Sequence, residues 1–329
     1  MKRLSCHCGQ VVYFDNQSCA NCGRLLGFNS ATLEMQSEEQ PGSGLPFCSN
    51  RSSASRCNWL TGADSANGNC LSCRTSKIIP SLAKRSGRSR WRKLEQAKRR
   101  LIYDLLRLNL PVDPSRLKFV FKEDRRTNPD VGDDHVTIGH ANGVITINAA
   151  EADAVYREEM RQQMNEPYRT LLGHFRHESG HYYFGVVVGQ ERLAAARALF
   201  GDETANYDAA LQQHYSNGPP DNWAEQYISS YASSHPAEDW AECWAHYLHI
   251  CAVLESADAS RLRAGLKISE WQTEFIDLVI AINEVLRSMG LPDAYPFVIT
   301  QRIAEKIEFI HQCVATFSDQ PGALSTQAS

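Results

Sequence analysis

The sequence predicts an α+β fold, in which a cysteine-rich N-terminal region precedes a mainly helical domain with a small sheet. Three observations support this prediction. Eight of the 11 cysteines lie before residue 74. Short alternating apolar segments between residues 117 and 147 are typical of strands. From about residue 150 onward, apolar residues recur at helical spacing. A chain of 329 residues is long enough for one large domain or two.

The eight early cysteines form two sets of four. The first set is Cys6, Cys8, Cys19 and Cys22, and the second is Cys48, Cys57, Cys70 and Cys73. Four thiolates complete a tetrahedral structural zinc site, and such a site stabilises a module too small for a core of its own. The chain starts without an apolar signal-peptide segment, so we expect a cytoplasmic protein with reduced thiols rather than disulfides. Residues 1–76 are therefore predicted to be a zinc-ribbon region with one or two structural zinc ions.

The three later cysteines, Cys243, Cys251 and Cys313, lie on apolar helical stretches and are predicted to be core residues. Residues 37–45, which are rich in Glu, Gly, Ser and Pro, are predicted to be a linker.

Residues 77–110 are predicted to form a basic amphipathic helix with a linker. Residues 1–100 carry 16 Lys and Arg against 6 Asp and Glu. Apolar residues recur at helical spacing through the basic segment, at Trp91, Leu94, Ala97, Leu101 and Leu105. The basic face is expected to lie in solvent. Nucleic-acid binding by this front end is the less favoured alternative.

Residues 111–329 are predicted to form the main domain. Residues 117–121 are predicted to form a strand, and residues 136–138 and 144–147 a hairpin around the segment 139–143. Helices are predicted near residues 151–165, 167–187, 190–200, 203–215, 236–255, 268–288 and 301–316. The sequence has no apolar run of 18 residues or more, so we expect no membrane span.

The most informative stretch, residues 177 to 181, is His-Glu-Ser-Gly-His. Two imidazoles four positions apart on a helix point the same way and can share one Zn²⁺. The carboxylate of Glu178, between them, can take a proton from water at the metal's open position. A chance match is the alternative, but apolar residues at helical spacing around the motif favour a half-buried helix. Gly180 either lets another backbone pass close by or is a tolerated defect.

A catalytic zinc ion needs a third protein ligand, which is predicted to be Glu238. Pro236 lies near a helix start, so Glu238 falls in the first turn, where the helix dipole favours a negative charge. Glu242, one turn later on the same face, is predicted to hold a ligand imidazole by its other N–H. Two solvated acids on an amphipathic helix are the alternative, and Asp239 and His246 are weaker ligand candidates.

Two further residues are candidates on position alone. Tyr231, seven residues before Glu238, can donate a hydrogen bond to the oxyanion formed by carbonyl attack, although a core or surface tyrosine is the simpler interpretation. His174, three residues before His177, can support a metal ligand, line the cleft, or be an ordinary polar residue with its hydrogen bonds satisfied.

The order of these residues resembles two groups of proteins. Tyr-Ala-Ser-Ser-His-Pro-Ala-Glu, following His-Glu-Ser-Gly-His, is similar to the active-site layout of anthrax lethal factor and related glutamate-zincins. More closely, the chain resembles bacterial zinc-binding metallopeptidases with an N-terminal zinc ribbon. The matching stretches include Cys-His-Cys-Gly, Thr-Ile-Gly-His-Ala-Asn-Gly-Val-Ile-Thr-Ile-Asn and Pro-Tyr-Arg-Thr-Leu-Leu-Gly-His-Phe-Arg. The resemblance covers nearly the whole chain.

This resemblance implies a zincin-like fold for residues 111–329. It implies His177, His181 and Glu238 as zinc ligands, Glu178 as the base, and Tyr231 at the position of the transition-state tyrosine. The predicted function is a zinc-dependent peptidase, in which Glu-assisted attack of zinc-bound water cleaves a peptide or protein substrate. One alternative is a nucleic-acid- or protein-binding zinc-ribbon protein with a non-catalytic zincin scaffold. Another is a zinc amidase acting on a different bond.

Overall fold

The computed structural model describes residues 1–37, 44–62, 65, 67–266 and 268–319. Its contacts divide the chain into two compact units. The N-terminal unit comprises Lys2–Met164 and Thr170–Phe175. Within the described residues, the C-terminal unit comprises Asn165–Arg169, residues 176–319, and Met1.

The N-terminal unit begins with two small antiparallel strand pairs. They are β1 (Leu4–Ser5) with β2 (Val11–Val12), and β3 (Leu26–Asn29) with β4 (Glu34–Ser37). Phe28 lies at the centre of their core, with its ring centroid 4.9 Å from those of both Phe14 and Trp59. The two pairs therefore share one small aromatic core. Most of the predicted linker, residues 38–43, lies outside the described residues.

A mixed four-stranded sheet forms the second part of this unit. A short helix, α1 (Leu71–Arg74), precedes the first strand of this sheet along the chain, and a long helix, α2 (Arg85–Arg107), follows that strand. The strands are β5 (Ser76–Ile78), β6 (Lys118–Lys122), β7 (Gly139–Ala141) and β8 (Val144–Asn148), in the order β5-β6-β8-β7. β6 is parallel to β5 and β8, and β7 is antiparallel to β8 at the sheet edge. Strand β5, which starts three residues after Cys73, was not predicted from the sequence.

The hairpin forms, but the predicted position of its first strand is wrong. Residues 136–138 were expected to pair, whereas β7 is Gly139–Ala141, with His140 opposite Ile145. The turn is Asn142 and Gly143, with φ of 49° and 77°. An Asn-Gly pair with two positive φ angles makes a tight two-residue turn, which fixes the register of the strands beside it. His140 therefore lies in a strand rather than in the turn.

Helix α2 packs its apolar stripe inward as predicted, but its basic residues are not all in solvent. Lys98 is fully buried, and its Nζ lies 3.0 Å from Oε2 of the buried Glu95. Arg99 is 2% exposed. The expectation of a solvated basic face is therefore wrong for these two residues, because buried acidic groups compensate their charge.

Two helices follow the sheet. Helix α3 is Ala154–Gln163, and helix α4 is Leu171–Val187. The first five residues of α4 belong to the N-terminal unit, where the ring of Phe175 packs 5.7 Å from Phe119 and 6.0 Å from Phe121. The rest of α4 belongs to the C-terminal unit.

The regular secondary structure in the described residues of the C-terminal unit is helical. Its further helices are α5 (Gly189–Phe200), α6 (Tyr207–Asn217), α7 (Trp223–Gln226), α8 (Pro236–Ala259), α9 (Trp271–Ser288) and α10 (Gln301–Ser318). Except for α7, each was predicted, with ends that differ by up to four residues. Tyr183, Trp240 and Trp244 form the stacked aromatic centre of this unit. In the described part of the chain, no helix has both the length and the hydropathy required to cross a bilayer.

Candidate active site

Two helices of the C-terminal unit, α4 and α8, cross at Gly180. A Cβ atom built there would lie 2.9 Å from Cα of Ala241 and 3.1 Å from Cβ of Trp244. The indole N–H groups of Trp240 and Trp244 donate to the carbonyl oxygen of Gly180 and to the hydroxyl oxygen of Ser179, at 2.9 and 3.0 Å. The glycine is explained by this close approach of α8, so it is more than a tolerated helix defect.

The crossing brings together His177, His181 and Glu238. Nε2 of His177 lies 2.9 Å from Oε2 of Glu238, and Nε2 of His181 lies 3.4 Å from Oε1. The two imidazoles share a face of α4 because they are four residues apart. The side chain of His177 is 13% exposed and that of His181 is 18% exposed, so solvent reaches the site. Two nitrogens and a carboxylate at these distances suit the three protein ligands of a catalytic zinc ion.

The start of α8 places Glu238. The helix begins at Pro236, and its N-cap is His235, whose Nδ1 accepts a hydrogen bond from the Ala237 N–H at 3.1 Å. Nε2 of His235 faces the carbonyl oxygen of Ala205 at 3.1 Å. The imidazole therefore caps one helix and anchors it to the segment before α6. This capping fixes the first turn, from which Glu238 projects.

Glu242 supports one of the imidazoles. Its Oε1 lies 2.7 Å from Nδ1 of His177, and its Oε2 accepts a hydrogen bond from the Ser229 hydroxyl at 2.7 Å. Burial alone would lower the pKa of His177, but the hydrogen bonds to Glu238 and Glu242 raise it well above its ordinary value. A carboxylate at Nδ1 keeps the proton on that nitrogen and directs the Nε2 lone pair toward a metal.

Glu178 and two tyrosines complete the surroundings of the three ligands. Glu178 lies between the two histidines on α4 and is largely buried. The ring of Tyr231 lies 6.0 Å from that of His177. Burial, and then the charge of Glu238, raise the pKa of Tyr231 well above its ordinary value, so its hydroxyl remains a donor.

The second tyrosine, Tyr207, was missed by the sequence analysis. Its hydroxyl donates to Oε1 of Glu238 at 2.7 Å. The preceding Asn206 marks the start of α6 as a typical N-cap, but nothing in the local pattern indicates that the phenol reaches a residue 31 positions away.

The remaining candidates have other partners. His174 directs Nε2 to Oε2 of Glu151 at 3.1 Å, within the N-terminal unit. Asp239 pairs with Nζ of Lys306 at 2.6 Å, and Nδ1 of His246 lies 2.7 Å from the hydroxyl of Tyr295. In the described residues, the three-ligand group with histidine consists of His177, His181 and Glu238. The structure thus does not place Asp239 or His246 among the ligands.

The eight N-terminal cysteines converge in the two predicted sets. In the first set, Sγ atoms lie 3.7 Å apart, between Cys6 and Cys22 and between Cys8 and Cys19. In the second set, the Sγ atoms of Cys57 and Cys70 lie 3.6 Å apart. A disulfide bond requires about 2.05 Å. A zinc tetrahedron with Zn–S bonds of about 2.3 Å has edges of about 3.8 Å, so both sets fit zinc.

The second set also has a buried cation beside it. In the described part of the chain, Nε and Nη1 of Arg99 are buried without a hydrogen-bond partner. Burial would lower the pKa of Arg99, but the negative charges of Cys57, Glu95 and Cys73 raise it. Four thiolates around one Zn²⁺ carry a net charge of −2, which explains why a guanidinium is buried next to them.

The three later cysteines, Cys243, Cys251 and Cys313, are buried in the helical unit, as predicted.

Comparisons with known proteins also indicate a zinc-binding protein. Residues 87–313 match a family model described as "putative zinc-binding metallo-peptidase", and residues 3–84 match a zinc-ribbon domain. Uncharacterized proteins of Mycobacterium tuberculosis (strains H37Rv and CDC 1551) and Mycobacterium bovis are 40% identical over 334 residues, which is 95% of each chain. No solved structure matches the chain.

The family matches confirm the predicted α+β architecture, with its N-terminal zinc ribbon and its mostly helical domain with a small sheet. They also support zinc as the metal. The chain therefore belongs to this zinc-binding metallopeptidase family and carries the zinc-ribbon domain at its N-terminal end.

Proposed function

We propose that the protein is a zinc-dependent peptidase of the glutamate-zincin type, with His177, His181 and Glu238 as the zinc ligands. The observation that carries this proposal is the convergence of the three side chains, at 2.9 and 3.4 Å, from helices α4 and α8. The ligand count supports a catalytic role, because structural zinc sites are normally closed by four protein ligands. The partial exposure of both imidazoles supports access of a substrate.

The residues fit zinc by their chemistry as well as their spacing. A neutral imidazole and a carboxylate are ordinary zinc ligands, and Glu242 holds His177 in the tautomer that a metal requires. When bound, zinc acts as a Lewis acid that polarises a carbonyl group and lowers the pKa of water.

The protein's own groups carry the proton transfers. Glu178, beside both ligand histidines, is proposed to accept a proton from the attacking water and to deliver it to the leaving amine. Tyr231 is proposed to donate a hydrogen bond from its phenolic O–H to the oxygen of the scissile carbonyl as negative charge develops there. Its raised pKa suits this role, because an ionised phenol cannot donate.

The proposal assigns a role to each region of the chain. Residues 1–76 form the zinc-ribbon region with two structural zinc sites, residues 77–110 supply the basic helix, and residues 111–329 form the zincin-like peptidase domain. The substrate is a peptide or protein. A cytoplasmic location suits eight cysteines that must stay reduced to bind metal.

The non-enzymatic alternative loses part of its basis. Nucleic-acid binding rested on the basic front end, and two of its cations, Lys98 and Arg99, are buried. The catalytic proposal instead accounts for Glu178, which a purely structural scaffold would not need.

A Glu178→Gln variant tests the proposal. The wild-type protein is incubated with a proteome-derived peptide library, and new N-termini are identified by mass spectrometry. The variant should retain its zinc and lose about 10²- to 10⁴-fold in cleavage rate, the usual effect of removing a general base. A wild-type protein that cleaves no peptide, or a variant that cleaves at the wild-type rate, would reject the assignment. The inactive variant also serves to capture bound substrates.

A further inference from the structure

We propose that Tyr207 is a positioning residue that keeps Glu238 bound to the metal through one carboxylate oxygen, so that the fourth metal position stays open. This inference rests on the proposed metal site. Its basis is the hydrogen bond of 2.7 Å from the Tyr207 hydroxyl to Oε1 of Glu238.

The two oxygens of Glu238 have different surroundings. Oε2 faces Nε2 of His177 at 2.9 Å. Oε1 faces Nε2 of His181 at the longer distance of 3.4 Å and also accepts the hydrogen bond from Tyr207. The side chain of Glu238 is only 2% exposed, so Tyr207 supplies Oε1 with a donor where water is largely excluded.

This difference matters because a carboxylate can bind a cation through one oxygen or through both. A catalytic zinc site needs three protein ligands and one open position for water, and a second oxygen of Glu238 would add a fifth ligand that crowds this position. A phenol that donates to Oε1 competes with the metal for this oxygen. Tyr207 thereby preserves the place at which the reaction occurs, without itself contacting the reacting atoms.

The phenol is held in place by the same residues that fix the start of α8. The ring of Tyr207 packs against His235, with ring centroids 5.1 Å apart. His235 caps α8 and faces the carbonyl oxygen of Ala205, two residues before Tyr207. The Asn206 side chain accepts a hydrogen bond from the Ala209 N–H at 3.0 Å and starts α6. These contacts join the starts of α6 and α8, so the hydroxyl and the carboxylate keep a fixed separation.

A Tyr207→Phe variant tests this proposal through the metal itself. The catalytic site of the full-length protein is emptied with a chelator, under conditions that leave two zinc ions per chain on the cysteines, and is reloaded with Co²⁺. Four-coordinate Co²⁺ absorbs visible light much more strongly than five-coordinate Co²⁺, so the absorbance per bound cobalt reports coordination number. Peptide cleavage by the reloaded protein supplies kcat and KM.

Two controls isolate the effect. Tyr215→Phe removes a second phenol from helix α6, at a residue that is 64% exposed. His181→Ala removes a proposed ligand and gives the spectrum of any cobalt bound elsewhere. Circular dichroism of the metal-depleted variants shows whether each still folds; Tyr207 is 42% exposed, so its loss should not disturb the core.

For Tyr207→Phe we expect a several-fold weaker visible absorbance per cobalt and a kcat lowered by about 10-fold or more, with KM little changed. Tyr215→Phe should match the wild type in both. A Tyr207→Phe spectrum identical to that of the wild type would overturn the role of Tyr207 and leave the metal site standing. A wild-type protein that binds no more cobalt than His181→Ala would overturn the metal site, and this inference with it.

Discussion

The molecule holds two kinds of metal-ligand set, and they differ in number, chemistry and exposure of their ligands. The cysteine sets each offer four thiolates, and all four residues of the second set are buried. The set on α4 and α8, which we call the open set, consists of His177, His181 and Glu238, and both of its imidazoles are partly exposed. The first kind can saturate a zinc ion, whereas the second kind leaves a position for chemistry.

The two kinds also differ in what surrounds them. The second cysteine set has a buried guanidinium beside it, and β5 begins directly after it, where the Thr75 carbonyl accepts a hydrogen bond from the Phe119 N–H at 2.8 Å. The histidine–glutamate set is held by side chains with their own hydrogen bonds, Glu242 to His177 and Tyr207 to Glu238. This difference supports the proposal that the cysteine sets stabilise the fold, whereas the set on α4 and α8 is held in position by the fold.

Removal of a buried thiolate should destabilise the protein most. A Cys57→Ser variant should lose one zinc ion and the cooperative unfolding of the N-terminal unit, because structural zinc binding contributes about 10–16 kcal/mol in zinc-finger peptides. Thermal unfolding followed by circular dichroism, with zinc measured in the same samples, checks this. Cys251→Ala, at a buried cysteine outside both sets, should keep its zinc. Normal unfolding of Cys57→Ser would show that the second cysteine set is dispensable for folding.

A smaller effect is expected where α4 and α8 cross. A Gly180→Ala variant places a methyl group 2.9 Å from the Ala241 backbone, so the helices must separate at a cost of about 1–3 kcal/mol. We expect a lower Tm together with weaker zinc binding at the open set, since Glu238 moves with α8. Gly185→Ala, on the same helix with open space around the added Cβ, is the matched control. Equal Tm values for the two variants would contradict the close packing.

The smallest effect concerns the support of His177. A Glu242→Gln variant keeps an oxygen that can accept the Nδ1 hydrogen bond, so zinc affinity at the open set should fall by only about 10-fold, the lower end for such partners. Glu242→Ala removes the acceptor and should fall by about 100-fold. Competition with a chromophoric chelator measures both. An alanine variant with unchanged affinity would show that His177 needs no support, and the contrast with the cysteine sets would weaken.

The sequence predicts the parts of this molecule that depend on local spacing. The His-Glu-Ser-Gly-His motif and the helix entry before Glu238 each follow from positions within one helical segment, and the structure brings these residues together. The cysteine sets are also predicted from spacing, because closely spaced cysteines that form no disulfides indicate metal binding.

The rest depends on tertiary packing that local patterns do not encode. Tyr207 reaches Glu238 only because His235 joins the starts of α6 and α8. Lys98 and Arg99 look like surface cations, and only the three-dimensional positions of Glu95 and the second cysteine set explain their burial. The predicted position of the strand at residues 139–141 is wrong because residues 136–138, which are Val-Thr-Ile, are more typical of a strand than the residues that pair beside the Asn-Gly turn.

The number of zinc ions bound by the wild type and by His181→Ala decides whether the set on α4 and α8 holds a metal. With three ligand groups in the described residues, we expect elemental analysis to find three zinc ions per wild-type chain and two in the variant. Both proteins should show the same circular dichroism, because the lost ion comes from the open set. Three zinc ions in folded His181→Ala, or two in the wild type, would contradict a catalytic zinc held by His177, His181 and Glu238.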